Sequence, residues 1–501
     1  MKKVDKKPEN KGKKKKGTRV RDFFSRRQHP IIILSYTTKY LWLLIIPLAK
    51  YLIATKFNFQ SWIRANWVDI LTLSVIFGYA FLRWVFVYFD IEEDSIVTHT
   101  GYFGISKTRV YFSEMSSMSL AQGYISRAIK ACTIYIDTDA KSIQEADIKL
   151  NLPAKRAFEI YELATRKCVN KPKYIFNSSK FNLVMFSLLF SSTLSGVILV
   201  LSLVYEAYKI IGRETEQLIL QRVNSQLEKI PIIEHIPKYL LIMGGVIAGG
   251  WLVSFLANLM RHWNFSCTRC ADMLLIKSGI GMRRRHILMR DRINYVDYQQ
   301  SLLMKICRIC SVSVNCTGYG KRRLEISALI PITTNSQVDS SMKMLMPGIP
   351  PMKSDVKTGK ADIGRFVTIP ALCCLISPAA GWVLIYFFPE WSREIKVLAA
   401  IMVIPMLWLV AVKFAAAFTT SIGLDSENCA ISYCNLYRYH KTIVKTKKIS
   451  KIAVSRNPFQ KVSGTCTVRI YTNSENTKRH SVKGLNYKKV LALLNENGYN
   501  F

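Results

Sequence analysis

Six long apolar segments, arranged in three pairs, constrain this chain more than any other feature of its sequence. They cover residues 31–54, 68–89, 181–204, 239–260, 366–388 and 395–418. Each has roughly the 20 residues that an α-helix needs to cross a hydrocarbon core of about 30 Å. Trp and Tyr lie near many of the segment ends, as in the aromatic belts of membrane proteins. The sequence therefore predicts a polytopic α-helical membrane protein with six transmembrane helices in three hairpins.

The distribution of positive charge predicts how the chain is oriented. Lys and Arg outnumber Asp and Glu by 71 to 33, and residues 1–28 carry thirteen basic residues against three acidic ones. Cytoplasmic segments of membrane proteins are enriched in Lys and Arg, so the N-terminus is predicted to be cytoplasmic. Each hairpin returns the chain to that side. We therefore expect a multi-pass protein of the cell membrane. The apolar segments make nucleic acid the weaker explanation for the charge.

The three segments that follow the hairpins are repeats of one another. Each has an anchor residue followed 31 positions later by a cysteine, the pairs being Gly101 and Cys132, Gly279 and Cys310, and Asn435 and Cys466. A basic residue stands five positions before each cysteine, at Arg127, Lys305 and Lys461. An alternating strand pattern follows the cysteine in every copy. A register kept over three copies is the signature of an internal repeat.

Each repeat is predicted to contain short antiparallel strands and a final helix. A strand runs into the anchor at residues 95–100, 273–278 and 429–434, and two more strands precede the cysteine. A later strand is predicted at 322–327 in the second repeat and at 479–483 in the third. The helices are predicted at 153–166, 333–345 and 485–497. Such units are expected to form three small β-barrels or sandwiches, each capped by a C-terminal helix.

These patterns divide the chain into nine segments. A basic tail predicted to be disordered (1–29) precedes hairpin 1 (30–89) and the first β-rich domain (90–168). A linker (169–180) leads to hairpin 2 (181–262) and the second domain (263–347). Another linker (348–365) leads to hairpin 3 (366–418) and the third domain (419–501).

The arrangement resembles a known family, the bacterial pleckstrin-homology-like (bPH2) membrane proteins of the YdbS/YdbT-like group. The resemblance rests on His29-Pro30 before the first span, on the strand ending at Gly101 or Gly279, and on the basic residue before the alternating strand. Three copies match the longer, YdbT-like members, although Asn435 replaces glycine in the third. The resemblance implies cytoplasmic PH-like barrels with no known catalytic activity. It also implies a link to envelope stress or antimicrobial resistance, and it does not supply a ligand.

Metal and cofactor motifs are scarce. Cys267-x-x-Cys270 and Cys307-x-x-Cys310 have the spacing of a four-thiolate zinc site. However, the position of Cys310 is cysteine in every repeat, and Cys132 and Cys466 have no such partner. A small, buried strand residue explains this better than a metal ligand does. The sequence therefore predicts neither a metal site nor a cofactor.

The chain contains no P-loop, Rossmann glycine pattern, HExxH motif or nucleophile elbow. We therefore expect that it is not an enzyme. An alternative function is transport or export through the six-helix bundle. That function would require facing polar or charged positions inside the spans, and the sequence has few of them.

Clusters of basic residues are the remaining candidates for a binding surface. They comprise Arg283, Arg284, Arg285 and His286 in the second repeat, and Lys445, Lys447, Lys448 and Lys451 in the third. Cations close to an anionic leaflet each contribute about 1 kcal/mol to binding. The hypothesis is therefore a non-catalytic membrane protein that binds lipid headgroups or a partner protein, such as another member of the same family. The alternative left open is that these residues only set topology.

Overall fold

The structure is a computed structural model that describes residues 26–37, 58–101, 106–139, 146–166, 172–190, 197–198, 201, 238–320, 327–349, 352, 354–359, 363–474 and 479–499. The predicted basic tail lies almost wholly outside these residues. Most of the predicted spans 31–54 and 181–204 do too. The chain forms two compact units, Met1–Val169 and Asn170–Phe501.

The first unit contains the first repeat. Its helices and strands are α1 (Phe59–Ala65), α2 (Trp67–Phe86), β1 (Tyr88–Ile91), β2 (Ser95–Thr100), β3 (Ser106–Tyr111), β4 (Met115–Gln122), α3 (Tyr124–Ala128), β5 (Ala131–Thr138), β6 (Ile148–Pro153) and α4 (Ala154–Ala164). Strands β1–β3 pair in order as an antiparallel sheet, and so do β4–β6. Most residues of β4, β5 and β6 are buried, whereas β3 is mostly exposed, and one face of the amphipathic helix α4 is buried with them.

From its second apolar helix onward, the second repeat has the same order of elements as the first. They are β7 (Tyr174–Asn177), α5 (Lys180–Phe190), α6 (Lys238–His262), β8 (Ser266–Cys270), β9 (Met273–Ser278), β10 (Arg283–Met289), β11 (Ile293–Ser301), α7 (Leu302–Ile306), β12 (Ile309–Cys316), β13 (Ala328–Thr334) and α8 (Asn335–Leu345). One core cluster joins Leu274 and Leu288 of the first sheet to Val312 of the second and Met342 of α8. The helix therefore closes a core that lies between two sheets.

The third repeat follows the same plan. Its elements are β14 (Val356–Lys357), α9 (Ile363–Phe387), α10 (Ser392–Thr419), β15 (Ser421–Leu424), β16 (Asn428–Asn435), β17 (Arg438–Lys445), β18 (Ile449–Ser455), α11 (Pro458–Val462), β19 (Thr465–Thr472), β20 (Arg479–Asn486) and α12 (Tyr487–Glu496). Ile431, Val468, Val482 and Leu494 bring both sheets and α12 into one core cluster. The predicted helical cap is thus present in all three repeats.

The segments predicted as linkers contribute strands. β7 lies in the first predicted linker and pairs with β8, while β14 lies in the second and pairs with β15. The first repeat has a shorter equivalent, a single bridge between Arg27 and Tyr88. In every repeat, the chain that precedes the apolar hairpin is therefore hydrogen-bonded to the chain that follows it.

The second and third repeats share one sheet. β11 pairs with β17 over seven residues, from Tyr295 opposite Val444 to Ser301 opposite Arg438. The resulting seven-stranded sheet has the order β13-β12-β11-β17-β16-β15-β14. The second sheet of one repeat thus continues into the first sheet of the next. Among the described residues, no strand pairing closes a single repeat into the predicted barrel.

Four of the described helices are long and apolar enough to cross a membrane. They are Trp67–Phe86, Met243–His262, Ile363–Phe387 and Pro389–Thr419. These helices agree with four of the six predicted spans. Of the predicted span 181–204, the structure describes mainly the shorter apolar helix Lys180–Phe190, because most of the residues after it are outside those described.

The strand predicted at 322–327 lies almost wholly outside the described residues. The last described strand of the second repeat is β13, which begins at Ala328 and contains Pro331. Proline cannot donate a backbone hydrogen bond, so it disfavours the interior of a sheet. The structure tolerates this proline because β13 is the edge strand of its sheet.

Candidate functional site

The tight turn between β9 and β10 attaches the second domain to the end of an apolar helix. The amide of Gly279 donates to the carbonyl of Trp263 at 2.7 Å, and that of Ile280 donates to Met260 at 3.2 Å. Gly279 has φ +95°, and a Cβ there would lie 1.9 Å from the carbonyl oxygen of Met282. Only glycine fits this position without strain. The repeated anchor is thus explained for the second domain.

The three arginines predicted as a contact surface are the first three residues of β10, the strand that follows this turn. Arg284 lies opposite Ser278 and Arg285 opposite Lys277 in the β9–β10 ladder. Arg283 is exposed, and its two neighbours are partly exposed. Arg284 and Arg261 both lie close enough to His262, at the end of α6, to interact with it electrostatically. The arginines therefore extend a cationic surface that starts at the helix end.

His286 does not belong to this surface. Its side chain is buried, and the edge of its ring packs against Tyr319 with the ring centroids 5.0 Å apart. It is the first of three consecutive buried residues of β10, which follow the more exposed start of the strand. The contact surface predicted from the sequence therefore loses His286 and keeps the three arginines.

The lysines of the third repeat lie at the opposite end of an equivalent strand. Lys445 is the last residue of β17, Lys447 and Lys448 form the following 3₁₀ turn, and Lys451 is on β18. Arg438 begins β17, and seven steps of about 3.3 Å along the strand place Lys445 roughly 23 Å further along. The structure thus does not place these lysines where the arginines of the second repeat lie.

Other cations occupy the end of β17 that lies against α10. Tyr437 and Tyr439 donate their hydroxyls to the carbonyls of Pro405 and Val412, at 3.3 and 2.7 Å. Lys413 Nζ donates to the carbonyl of Cys434 at 3.4 Å. Lys305 lies with Nζ 4.3 Å from the centre of the Tyr439 ring, and burial lowers the pKa of its ammonium. Lys305 could be found from the sequence because a basic residue stands at this position in every repeat. No motif or repeat in the sequence indicated Lys413.

A buried polar cluster lies where the second and third repeats join. Asp297 of β11 accepts hydrogen bonds from Thr442 Oγ1 at 2.9 Å and from Gln299 Nε2 at 2.9 Å. Its carboxylate also pairs with His440 Nδ1 at 2.8 Å. Nearby, the Tyr433 hydroxyl lies 3.1 Å from His480 Nδ1. The cluster connects the two repeats through side chains as well as through the backbone ladder.

The repeated cysteines are strand residues, as predicted. Cys132, Cys310 and Cys466 lie in β5, β12 and β19, and all three are buried. Burial raises the pKa of the Cys310 thiol to about 12, so the thiol is protonated at neutral pH. Within the described part of the chain, no group of three or more His, Cys, Asp or Glu side chains could hold a metal ion.

The family of bacterial PH domains matches the chain three times, at residues 31–167, 218–340 and 366–498. The chain belongs to this family. The three matches coincide with the three repeats, and the first and third begin at the start of a predicted hairpin. A search of curated proteins finds no match. Membership of a PH-domain family supports a role in binding lipids or proteins rather than in catalysis.

The second and third bacterial PH domains have a common relation to their apolar helices. The turn after β9 lies against the end of α6, and the turn after β16 lies against α10. Both turns lead into strands that begin with cations, Arg283 and Arg438. In these two domains, the end next to the apolar helices is therefore the best candidate for a binding surface.

Proposed function

We propose that this chain is a non-catalytic integral membrane protein whose three hairpins each cross the membrane twice. Its PH-like domains face the cytoplasm and bind anionic lipid headgroups with the ends next to the spans. The observation that carries the proposal is the position of Arg284 beside His262 at the end of α6, in a run with Arg283 and Arg285 at the start of β10. Within the family, the three copies favour a YdbT-like member.

Hydrogen bonding at the base of the hairpins supports the topology. β7 precedes the second hairpin and β8 follows it, yet the two strands are paired. The same holds for β14 and β15 around the third hairpin, and for Arg27 and Tyr88 around the first. Paired segments must lie on one side of a membrane, so the chain between them crosses an even number of times. The basic residues then favour the cytoplasm as that side.

The chemistry of the surface favours phosphate groups as ligands. Guanidinium groups form charge-assisted, often bidentate hydrogen bonds with phosphate, and arginine is less strongly hydrated than lysine. Each cation near an anionic leaflet contributes about 1 kcal/mol, so three arginines together change affinity by roughly 100-fold. This surface therefore distinguishes anionic from neutral lipids.

The test measures lipid binding by the full-length protein in a neutral detergent. A fluorescent phosphatidylglycerol probe is titrated across a salt series, with a phosphatidylcholine probe as the neutral control. Two variants are compared, one with Arg283→Gln, Arg284→Gln and Arg285→Gln and the other with Lys445→Gln, Lys447→Gln and Lys448→Gln. Both remove three positive charges, but only the first removes them next to a span.

We expect the arginine variant to lose most of its salt-sensitive binding of phosphatidylglycerol and the lysine variant to retain it. Equal binding by both variants and the original protein would contradict the proposal. That outcome would favour a protein ligand, such as another membrane protein of the same family. The resemblance to the YdbS/YdbT-like group adds the proposal of a role in envelope stress or antimicrobial resistance, which growth of a deletion strain under such stress would test.

A further inference from the structure

A short helix with the same exposed apolar side chains occurs in every repeat. The helices are α3, α7 and α11, and each precedes the strand that carries the repeated cysteine. Seven and four residues before that cysteine stand apolar residues, namely Ile125 and Ala128, Leu303 and Ile306, and Phe459 and Val462. All six side chains are exposed, with Phe459 at 76% and Val462 at 92%. We call these residues the apolar pairs.

The backbone presents the three apolar pairs in the same way. Each helix is followed, two residues before the cysteine, by a residue with a left-handed conformation. Gly464 takes this conformation readily with φ +66°, but Lys130 and Arg308 take it too, both with φ +55°. The turn is thus kept even where the residue type disfavours it. Three copies therefore expose two apolar residues at one fixed place.

Single exposed apolar side chains are common and require no explanation. Here, however, the same two positions are apolar and exposed in all three repeats, although the residues themselves differ. A solvated loop would not retain apolar side chains at these positions alone. The repetition therefore indicates an apolar environment outside the domain.

Contacts with the apolar hairpins indicate where that environment lies. Arg365, the third residue of α9, donates through Nη2 to the carbonyl of Phe459 at 2.6 Å and through Nη1 to Thr465 Oγ1 at 3.3 Å. In the second repeat, Met304 of α7 is buried in one cluster with Phe186 of α5. In the first repeat, the amide of His29 donates to Asn151, at the end of the strand paired with β5. The short helices of the second and third repeats thus contact the first helix of their hairpins, and in the first repeat the chain entering the hairpin is bonded to β6, which pairs with the strand after α3.

Cations flank the apolar pairs. Arg127, Lys305 and Lys461 stand between the two members of each pair, and Lys130 and Arg308 follow in two repeats. Apolar side chains next to basic ones are typical of short segments that lie in the interface of an anionic leaflet. The long basic side chains reach the headgroups while their neighbours enter the acyl region. The charge pattern therefore favours lipid over a protein surface.

We propose that α3, α7 and α11 insert their apolar pairs into the cytoplasmic leaflet, at the boundary between headgroups and acyl chains. This inference rests on the proposed membrane topology and adds a second membrane contact for each domain. The turn at Gly279 holds the second domain to the end of α6, and the apolar pair of α7 adds a contact elsewhere on the domain. Two contacts fix the tilt, so the arginines beside α6 stay at the level of the headgroups.

The test uses the full-length protein reconstituted in liposomes that contain phosphatidylglycerol. The photoreactive residue p-benzoylphenylalanine replaces Phe459 in one sample, Ile401 inside α10 in a second, and Glu496 at the far end of α12 in a third. Phe459, Ile401 and Glu496 are all exposed in the structure. After irradiation, mass spectrometry separates lipid adducts from protein adducts. Unchanged thermal unfolding confirms that each sample is folded.

The proposal expects lipid adducts at positions 459 and 401 and none at position 496. Lipid adducts at 401 alone would overturn it and leave the proposed topology intact. Protein adducts at 459, within one chain or between two, would overturn it in favour of a protein contact. If neither position 459 nor position 401 gives lipid adducts, the proposed membrane topology is overturned and this inference with it.

Discussion

Asp297 is the residue on which the junction between the second and third repeats depends most. It is buried, and its carboxylate accepts hydrogen bonds from both repeats, through Gln299 and through Thr442. We expect Asp297→Ala to lower the free energy of unfolding by roughly 1–3 kcal/mol, because buried donors lose their acceptor. Thermal unfolding in detergent measures the effect. Asp291→Ala, at an exposed position two residues before β11, is the matched control, and similar losses for both would contradict the prediction.

His480 makes the stability of the third domain depend on pH. Burial is the main cause that lowers its pKa, to about 4, although the nearby Asp297 acts in the opposite direction. Between pH 6.5 and 4, the unfolded chain therefore binds a proton at this histidine and the folded chain does not. Stability is complete above pH 6.5 and falls as the pH is lowered, by roughly 3 kcal/mol at most.

The variant His480→Asn should flatten this dependence. The asparagine side-chain amide can replace Nδ1 as the hydrogen-bond partner of the Tyr433 hydroxyl, because it can donate or accept, and asparagine does not titrate. Thermal unfolding of both proteins at pH 7.5 and pH 5 gives the difference. An identical loss of stability at pH 5 in the variant would show that other groups cause the dependence.

At the scale of elements, two glycines with similar conformations should respond differently to substitution. Gly279→Ala places a Cβ 1.9 Å from a carbonyl oxygen in the turn against α6, so we expect a loss of more than about 2 kcal/mol. Gly464→Arg should cost only about 1 kcal/mol, because the space there is open and Arg308 already occupies the equivalent position. Thermal unfolding of both variants tests this order, and the reverse order would contradict it.

The sequence predicted the elements whose residues carry their own periodicity. β2 and β9 begin and end where the patterns placed them, at 95–100 and 273–278. β7 and β14 were missed because they have only four and two residues. Each also pairs with a strand that follows a whole hairpin, and no local pattern reports such a distant partner. Boundaries set by tertiary pairing are the least accessible to sequence reasoning.

The candidate surface was predicted only in part, for the same reason. Arg283 to Arg285 form a visible run, but their position beside α6 depends on the turn at Gly279. Lys413 lies inside an apolar helix with no basic neighbour, so no local pattern drew attention to it. The structure places it next to Cys434 of another element.

At the scale of the whole molecule, the shared sheet makes the second and third repeats one structural unit. Seven residue pairs join β11 to β17, and the buried Asp297 cluster reinforces the ladder. A β-ladder with a buried polar connection does not dissociate when a distant covalent link is cut. The exposed Gly348 lies between the two repeats and outside this ladder, so it offers a place for such a cut.

We therefore expect the two repeats to stay together after the chain is cleaved between them. A specific protease site inserted after Gly348 would divide the protein into residues 1–348 and 349–501. With an affinity tag on the C-terminus, both fragments should be recovered together in detergent, even at 1 M salt, where surface ion pairs are screened to within about 3 Å. The same cleavable protein with Asp297→Ala should release more of the N-terminal fragment. Complete separation of the two fragments when Asp297 is intact would show that the ladder and the polar cluster do not hold the repeats together.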